Sequence, residues 1–325
     1  MLKDRSSLLF MQSRFHFSQT IFFLLIFCMA SSVVAQQLPT SSALQATYDL
    51  GREHSRDPQS FTMRSQVVVF APDGSRKDST LYSLYLRCVP GKKEKDGDEY
   101  TCTRFTVRYN NAPDVSIPAL ANWKYNYRKT ANQKDEKGQV FGIDHAKFEK
   151  VVDSNGQLLA TEKKYHVYNA FIDFHALLFF AERTISGKGV QDLHKIGDKI
   201  VHVSAFSEPP VNLGKEIKEG SVFRNGEITL EFKGLTVMNN KSCALLGYDS
   251  GNSSFKMLME PMPSMQINTS GSSHYWGDIF KDLQSGWLQK ADLHELVVSE
   301  TVISGQPNKI PSVIERRIEV RNITK

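Results

Sequence analysis

Asn169-Ala-Phe-Ile-Asp-Phe-His-Ala-Leu-Leu-Phe-Phe-Ala-Glu-Arg183 is the stretch that decides the fold, because it breaks an otherwise two-residue alternation. Phe171, Phe174, Leu178 and Ala181 recur at helical spacing. Asn169 reads as an N-cap and Gly187 lies past the end, so a helix is expected over 169–183. Its apolar residues cover most of the circumference, which predicts burial rather than a surface position. A shorter helical turn is expected over Val190–Ile196. Tyr165, Tyr168, Phe171, Phe174, Phe179 and Phe180 read first as core packing and second as a ligand-contacting stripe.

On both sides of this segment the pattern is β. Turn signals recur at Pro72-Asp73-Gly74, Asp96-Gly97, Asp153-Ser154-Asn155-Gly156, Asn225-Gly226, Asn239-Asn240, Asp249-Ser250-Gly251 and Asp282-Leu283-Gln284-Ser285-Gly286. Between them lie β-branched and aromatic runs at Phe61–Phe70, Leu81–Val89, Thr101–Tyr109, Val140–Phe148, Lys199–Ala205, Glu227–Phe232, Cys243–Tyr248, Phe255–Glu260, Tyr275–Lys281, Trp287–Val302 and Val313–Ile323. The expected fold is mainly β: a large curled antiparallel sheet, as a half-barrel or as two β lobes, around one buried helix. Strand-rich halves 61–165 and 198–323 are joined by the helical segment 169–196 within a domain spanning 61–325. Residues 36–60 form an N-terminal arm.

Composition narrows the class. The 325 residues are 40% hydrophobic, 23% charged and 10% aromatic, with 20 Gly and 12 Pro, which excludes disordered and collagen-like chains. A mean hydropathy of −0.35 excludes a multispanning membrane protein. Residues 1–20 are polar and basic, Ile21–Ala30 is an apolar run, and Val33-Val34-Ala35 precede Gln36. This is the pattern of a secretory signal peptide over 1–35, cut after Ala35. The apolar run falls short of the roughly 18–20 residues that cross a bilayer, so no membrane span is expected after cleavage. Phe27 before Cys28 is too bulky for a lipid-attachment site. The expected location is secreted or periplasmic. Removing the leader leaves 37 basic against 34 acidic residues. The charges interleave, as in Lys92–Asp98 and Lys134–Lys137, so no basic stripe suited to nucleic acid forms.

Three cysteines follow the leader, Cys88, Cys102 and Cys243. An oxidising compartment with an odd number suggests one pair and one buried thiol. Cys88 and Cys102 flank the polar linker Gly91–Asp98, where a cross-strand disulfide fits. Pairing them directly sets Leu86 against Arg104. A shift of one sets Leu86 with Phe105, Leu84 with Val107 and Tyr82 with Tyr109, which makes the better sheet but places the sulfurs on opposite faces unless a bulge intervenes.

The helix followed by Gly197-Asp198-Lys199-Ile200-Val201, and the hairpin Tyr275–Lys290 turning through Asp282-Leu283-Gln284-Ser285-Gly286, resemble the half-barrel proteins of the bacterial lipoprotein-localisation-factor superfamily and their uncharacterised periplasmic relatives. The likeness covers roughly residues 165–305. It implies a concave apolar surface that shields an acyl chain or similar ligand from water, and it assigns no ligand residue by position.

Chemical motifs are sparse. Asp249-Ser250-Gly251 matches the core of an aspartic-protease site, but Gly247-Tyr248 precede it in place of an apolar strand end and a single triplet supplies one carboxylate of the two required. A hairpin turn is the better reading. Ser272 and Ser273 beside His274 lack the strand-turn-helix elbow of a serine hydrolase. His274, Trp276 and Asp278 share one face of a strand, with His294 on the next, which is the arrangement a metal-dependent enzyme would use. Solvent-facing side chains on a hairpin fit equally. Trp123, Tyr125 and Tyr127 alternate with Lys124, Asn126 and Arg128, as in a stacking platform or half of a β core. Asn240, Asn252, Asn268 and Asn322 open glycosylation sequons. The leading expectation is a non-enzymatic protein, without a cofactor, that binds an apolar or amphipathic ligand such as a lipid, or a cell-envelope partner, beside the helix. Phe171, Phe174, Phe179, Tyr275 and Trp276 are the expected lining. The alternatives are a hydrolase or metal enzyme using His274, Asp278 and His294, and a purely structural interaction module.

Overall fold

The computed structural model describes residues 42, 45–93, 96–129, 139–184, 187–202, 218–224 and 226–324, within the compact unit Ser41–Lys325. The expected signal peptide and its cleavage site, Glu94, Lys95, Lys134–Lys137, Val203–Ala205 and Asn225 lie outside these residues.

Thirteen antiparallel strands join in one sheet among the described residues. They are β1 (Gln59–Phe70), β2 (Arg76–Pro90), β3 (Asp98–Tyr109), β4 (Val115–Ser116), β5 (Trp123–Tyr127), β6 (Lys199–Val201), β7 (Val222–Arg224), β8 (Thr229–Met238), β9 (Lys241–Asp249), β10 (Ser253–Met262), β11 (Met265–Asp282), β12 (Leu288–Ile303) and β13 (Ile310–Asn322). The order is β4-β3-β2-β1-β13-β12-β11-β9-β8-β6, with β5 on β3, β10 on β11 and β7 on β10. The sheet is not closed into a barrel. The two halves of the chain are therefore parts of one sheet and not separate lobes. Their seam is the ten-residue pairing of β1 with β13, from Phe61 opposite Asn322 to Phe70 opposite Val313.

The sheet curls around helix α1 (Thr161–Ala181). Phe61 meets Phe174 at 5.3 Å and Phe105 stacks on Phe171 at 5.9 Å from the β1–β3 side. Phe148 closes on Phe171 at 5.4 Å, and Tyr248 of β9 reaches Phe180 at 5.2 Å. Rings thus surround the helix, as its apolar character over most of the circumference requires. Gly277 in β11 helps the sheet bend: its φ of +156° is open to glycine, and a Cβ there would lie 2.1 Å from the Asp292 carbonyl oxygen.

The helix begins eight residues before the expected start. Asn169 is an interior residue, and the true N-cap, Ala160, makes no side-chain capping bond. Burial of Val167 and Tyr168, together with the bond from Lys164 N to the Ala160 carbonyl oxygen (3.0 Å), carries the helix back to Thr161. The expected strand over Val140–Phe148 is replaced by a turn. Phe141 sits at φ +53°, Ile143 N donates to the Val140 carbonyl oxygen at 2.8 Å, and His145–Phe148 wind into a 3-10 turn. The turn expected at 190–196 is a 3-10 helix over Val190–Asp192.

Neither expected β2–β3 register forms. Tyr82 faces Val107 and Leu84 faces Phe105, then a bulge at Thr103 sets Leu86 against Cys102 and Cys88 against Tyr100. The bulge brings both sulfurs to the interior face, but on successive rungs. Cys88, Cys102 and Cys243 are free, buried thiols, so the expected Cys88–Cys102 disulfide does not form. Trp123, Tyr125 and Tyr127 point into the core, where Tyr125 and Tyr127 flank His175. They form half of a β core and not an open platform.

The N-terminal arm runs extended across the end of the helix. Tyr48 N donates to the His194 carbonyl oxygen (2.8 Å), Leu50 is fully buried, and Trp287 Nε1 donates to the Ser55 carbonyl oxygen (3.0 Å).

Candidate functional site

A fork in the sheet creates a cleft. The 18-residue β11 pairs its second half, Trp276–Asp282, with β9 and its first half, Ile267–Ser273, with β10. The Asp249-Ser250-Gly251 turn sits at the branch. Gly251 N donates to Asp249 Oδ1 at 2.7 Å, and Tyr275 N donates to Ser250 Oγ at 2.9 Å. Its residues are fully engaged as a connector, in keeping with the turn reading. Beyond the branch, Phe255, Met257 and Met259 of β10 face inward, and Phe223 of β7 joins them. The floor opposite is built from small residues, Thr269, Ser273, Ser299, Thr301 and Ser312. Small side chains on adjacent strands leave a trough that larger ones would fill. At Gly271 the Phe255 ring packs directly over the backbone, where a Cβ would come within 2.9 Å of it. Tyr165, His166 and Asn169 of α1 form the third wall, with Val297 and Ile314 between. The cleft has a volume of about 420 Å³, within the range of small-molecule sites.

The inner end of the cleft is polar and rigid. Arg316 of β13, 4% exposed, donates Nε to Glu295 Oε2 and Nη1 to Asp173 Oδ2, each at 2.6 Å, and Nη2 to the Tyr275 hydroxyl. Glu295 and Tyr275 lie on the same cross-strand row as Arg316, while Asp173 reaches across from the helix. Burial opposes a charge on Arg316, and the two carboxylates outweigh it, so the guanidinium is held protonated. Burial also lifts the Asp173 carboxyl above its ordinary value, even with Arg316 beside it. His166 is driven down to about 3, first by burial and then by Arg316, so the imidazole in the wall is neutral. Ser273 Oγ lies buried on the floor with no hydrogen-bond partner among the described residues. The site thus offers apolar walls, neutral hydroxyls and one fully compensated cation, with no activated nucleophile among them.

The structure separates the five expected lining residues. Tyr275 lies at the inner end of the cleft. Phe171 and Phe174 are fully buried and Phe179 is 5% exposed, all three within the core. Trp276, one residue on from Tyr275, points to the opposite face and is 41% exposed. The strand alternation that puts Tyr275 inside puts Trp276 outside.

His274, Asp278 and His294 are on that outer face too, with both imidazoles next to the Trp276 ring. His274 Nε2 lies 3.0 Å from Asp249 Oδ1, Asp278 takes the Lys233 ammonium at 2.7 Å, and His294 stacks beside Trp276 at 5.7 Å. Among the described residues no three His, Cys, Asp or Glu side chains are placed to hold a metal ion. Ser272 is exposed on the outer face while Ser273 is buried inside, so the two do not act together with His274.

Sequence reasoning missed Asp173, Glu295 and Arg316, although a signal was present. Each charge occupies a slot of apolar parity: Ile314-x-Arg316-x-Ile318-x-Val320, Leu293-x-Glu295-x-Val297, and Asp173 within the apolar helix. Three charges in interior slots imply mutual pairing.

No family model and no curated protein matches this chain. Among solved structures, a mutant Rh. blastica porin aligns over 81% of this chain and 100% of its own, with 7% identity and a TM-score of 0.17. A likeness at that level carries no argument about fold or function.

Proposed function

We propose that this chain is an exported, non-enzymatic binding protein that holds an apolar or amphipathic ligand in the cleft between α1 and the forked β10–β13 face. The supporting observation is the trough of small residues walled by Phe223, Phe255, Met257 and Met259. The half-barrel carrier resemblance of the sequence belongs with the same reading. Binding is passive: a ligand losing about 300 Å² of apolar surface to the cleft gains roughly 7 kcal/mol at about 25 cal/mol per Å², from which the cost of immobilisation is subtracted. The neutral Ser273 and Tyr275 hydroxyls would orient its polar end.

The test is native mass spectrometry of protein purified from its own host, combined with displacement of a fluorescent long-chain fatty acid. A co-purifying amphiphile and saturable dye binding are expected. Ser299→Phe, which fills the floor, should weaken dye binding about tenfold while the fold is retained. Dye binding that is absent, or equal in wild type and Ser299→Phe, would sink the proposal.

A second reading is an interaction module. Leu296, Val298 and Val313 are 42%, 50% and 36% exposed on the convex face, where Val298 and Val313 are cross-strand partners. A protein that holds no ligand but self-associates or captures an envelope component would favour it.

A further inference from the structure

The opposite end of α1 carries a second cleft, of about 690 Å³, between the N-terminal arm and β5. A 21-residue helix is about 31 Å long, so this cleft is separate from the apolar one. Its lining is charged rather than greasy. Six cationic side chains from the arm and from the residues just after β5 and α1 face four acidic ones. The acids are largely engaged within the wall. Asp98 Oδ2 takes His54 at 3.0 Å, Glu182 takes Lys129 at 3.1 Å and Glu53 takes Arg56 at 3.3 Å. Asp96 accepts the Lys93 backbone N–H at 3.0 Å. Arg52, Arg128 and Arg183 are exposed along the rim.

Two further observations point to an anionic occupant. Tyr127 is 5% exposed and lines the cleft, and among the described residues its hydroxyl has no hydrogen-bond partner. The carbonyl end of a helix would ordinarily repel an anion. Here the last carbonyl oxygen, that of Ala181, is taken by the buried Lys281 ammonium at 2.6 Å. His54 adds a fixed cation: burial opposes its charge, but its hydrogen bonds to the Asp98 and Glu182 carboxylates outweigh that and lift it to about 9.

We propose that this cleft binds a phosphate-type oxyanion, held by the rim guanidinium groups and the Tyr127 hydroxyl. Guanidinium forks match the tetrahedral oxygens in pairs. The same chemistry is offered by a soluble phosphoester and by an anionic lipid headgroup.

Calorimetric titration of the purified protein with inorganic pyrophosphate at constant ionic strength tests the site. Flotation with phosphatidylcholine vesicles, with and without phosphatidylglycerol, tests the source. One-site saturation below about 1 mM pyrophosphate is expected, weakened at least tenfold in Arg128→Gln/Arg183→Gln and several-fold in Tyr127→Phe. Circular dichroism verifies that both variants fold. Phosphatidylglycerol-dependent flotation that the double variant abolishes assigns the headgroup as the source, and titration without flotation assigns a soluble ligand. No saturation with either probe, or equal binding in the double variant, overturns the proposal. An undiminished affinity in Tyr127→Phe removes the phenol from the site.

Discussion

His54 illustrates how one side chain ties the arm, the sheet and the helix end together. It lies between Asp98 of β3 and Glu182 just beyond α1, with the Trp287 ring 4.0 Å away. Folding raises its pKa from 6.5 to about 9, so its contribution is complete below pH 6.5 and is lost as pH rises through 9. Burial works against the Glu182 carboxylate, but His54 and Lys129 bring its pKa down from 4.5 to about 2. Its contribution is present above pH 4.5 and is lost as pH falls toward 2. Both are at full strength between about pH 4.5 and 6.5. Urea melts across pH should therefore show greatest stability in that window, with the alkaline decline, on the order of 3 kcal/mol, flattened in His54→Asn. An alkaline limb of equal slope in the variant would show that His54 is not its source. None of this was legible beforehand, because His54 stands in a polar arm with no periodicity. Arg316 was legible in principle, since an arginine between Ile314 and Ile318 in an alternating strand stands where burial forces a partner.

Elements were legible where one period dominated. β2, β3, β9, β12 and β13 match their alternating runs to within a few residues. The expected helix core, Phe171 to Ala181, is helical and buried. The failures have local causes. Asn169 looks like a cap, but the apolar face continues upstream through Val167 and Tyr168, and packing overrides capping preference. The run Val140–Phe148 is as apolar as a strand, yet the positive φ of Phe141 reverses it. At the other end of α1, Lys281 replaces the usual glycine stop. Its ammonium donates to the carbonyl oxygens of Ala181 (2.6 Å) and Arg52 (3.4 Å), and burial lowers its pKa to about 8. Lys281→Met keeps the aliphatic packing but leaves those carbonyls without a donor. A loss of about 1–2 kcal/mol in denaturant stability is expected, and an increase would mean that burying the charge costs more than its bonds return.

At the scale of the molecule, the class of fold follows from composition and turn spacing, but the choice between one sheet and two lobes does not. That choice depends on β1 meeting β13, a pairing between strands roughly 250 residues apart that no local pattern encodes. The cleft was hidden for a related reason: it comes from β11 changing partners midway, and the trough residues Thr269, Ser273 and Ser299 look like ordinary strand polar positions in sequence. Hydrogen-exchange mass spectrometry should find the slowest amides in β1, β12 and β13, central in the sheet, and faster ones in β6 and β7 at its margins. Exchange faster in β13 than in β6 would contradict a continuous sheet.

The seam has a consequence for timing. Because β13 follows β1 by roughly 250 residues and occupies the middle of the sheet, strands β1–β3 lack their central neighbour until all the strands between them have emerged from the ribosome. Closing so long a loop is entropically costly and slow. A newly made chain therefore remains threadable until β13 has been made, and its long unpaired β1 edge invites a chaperone to guard it in the interval.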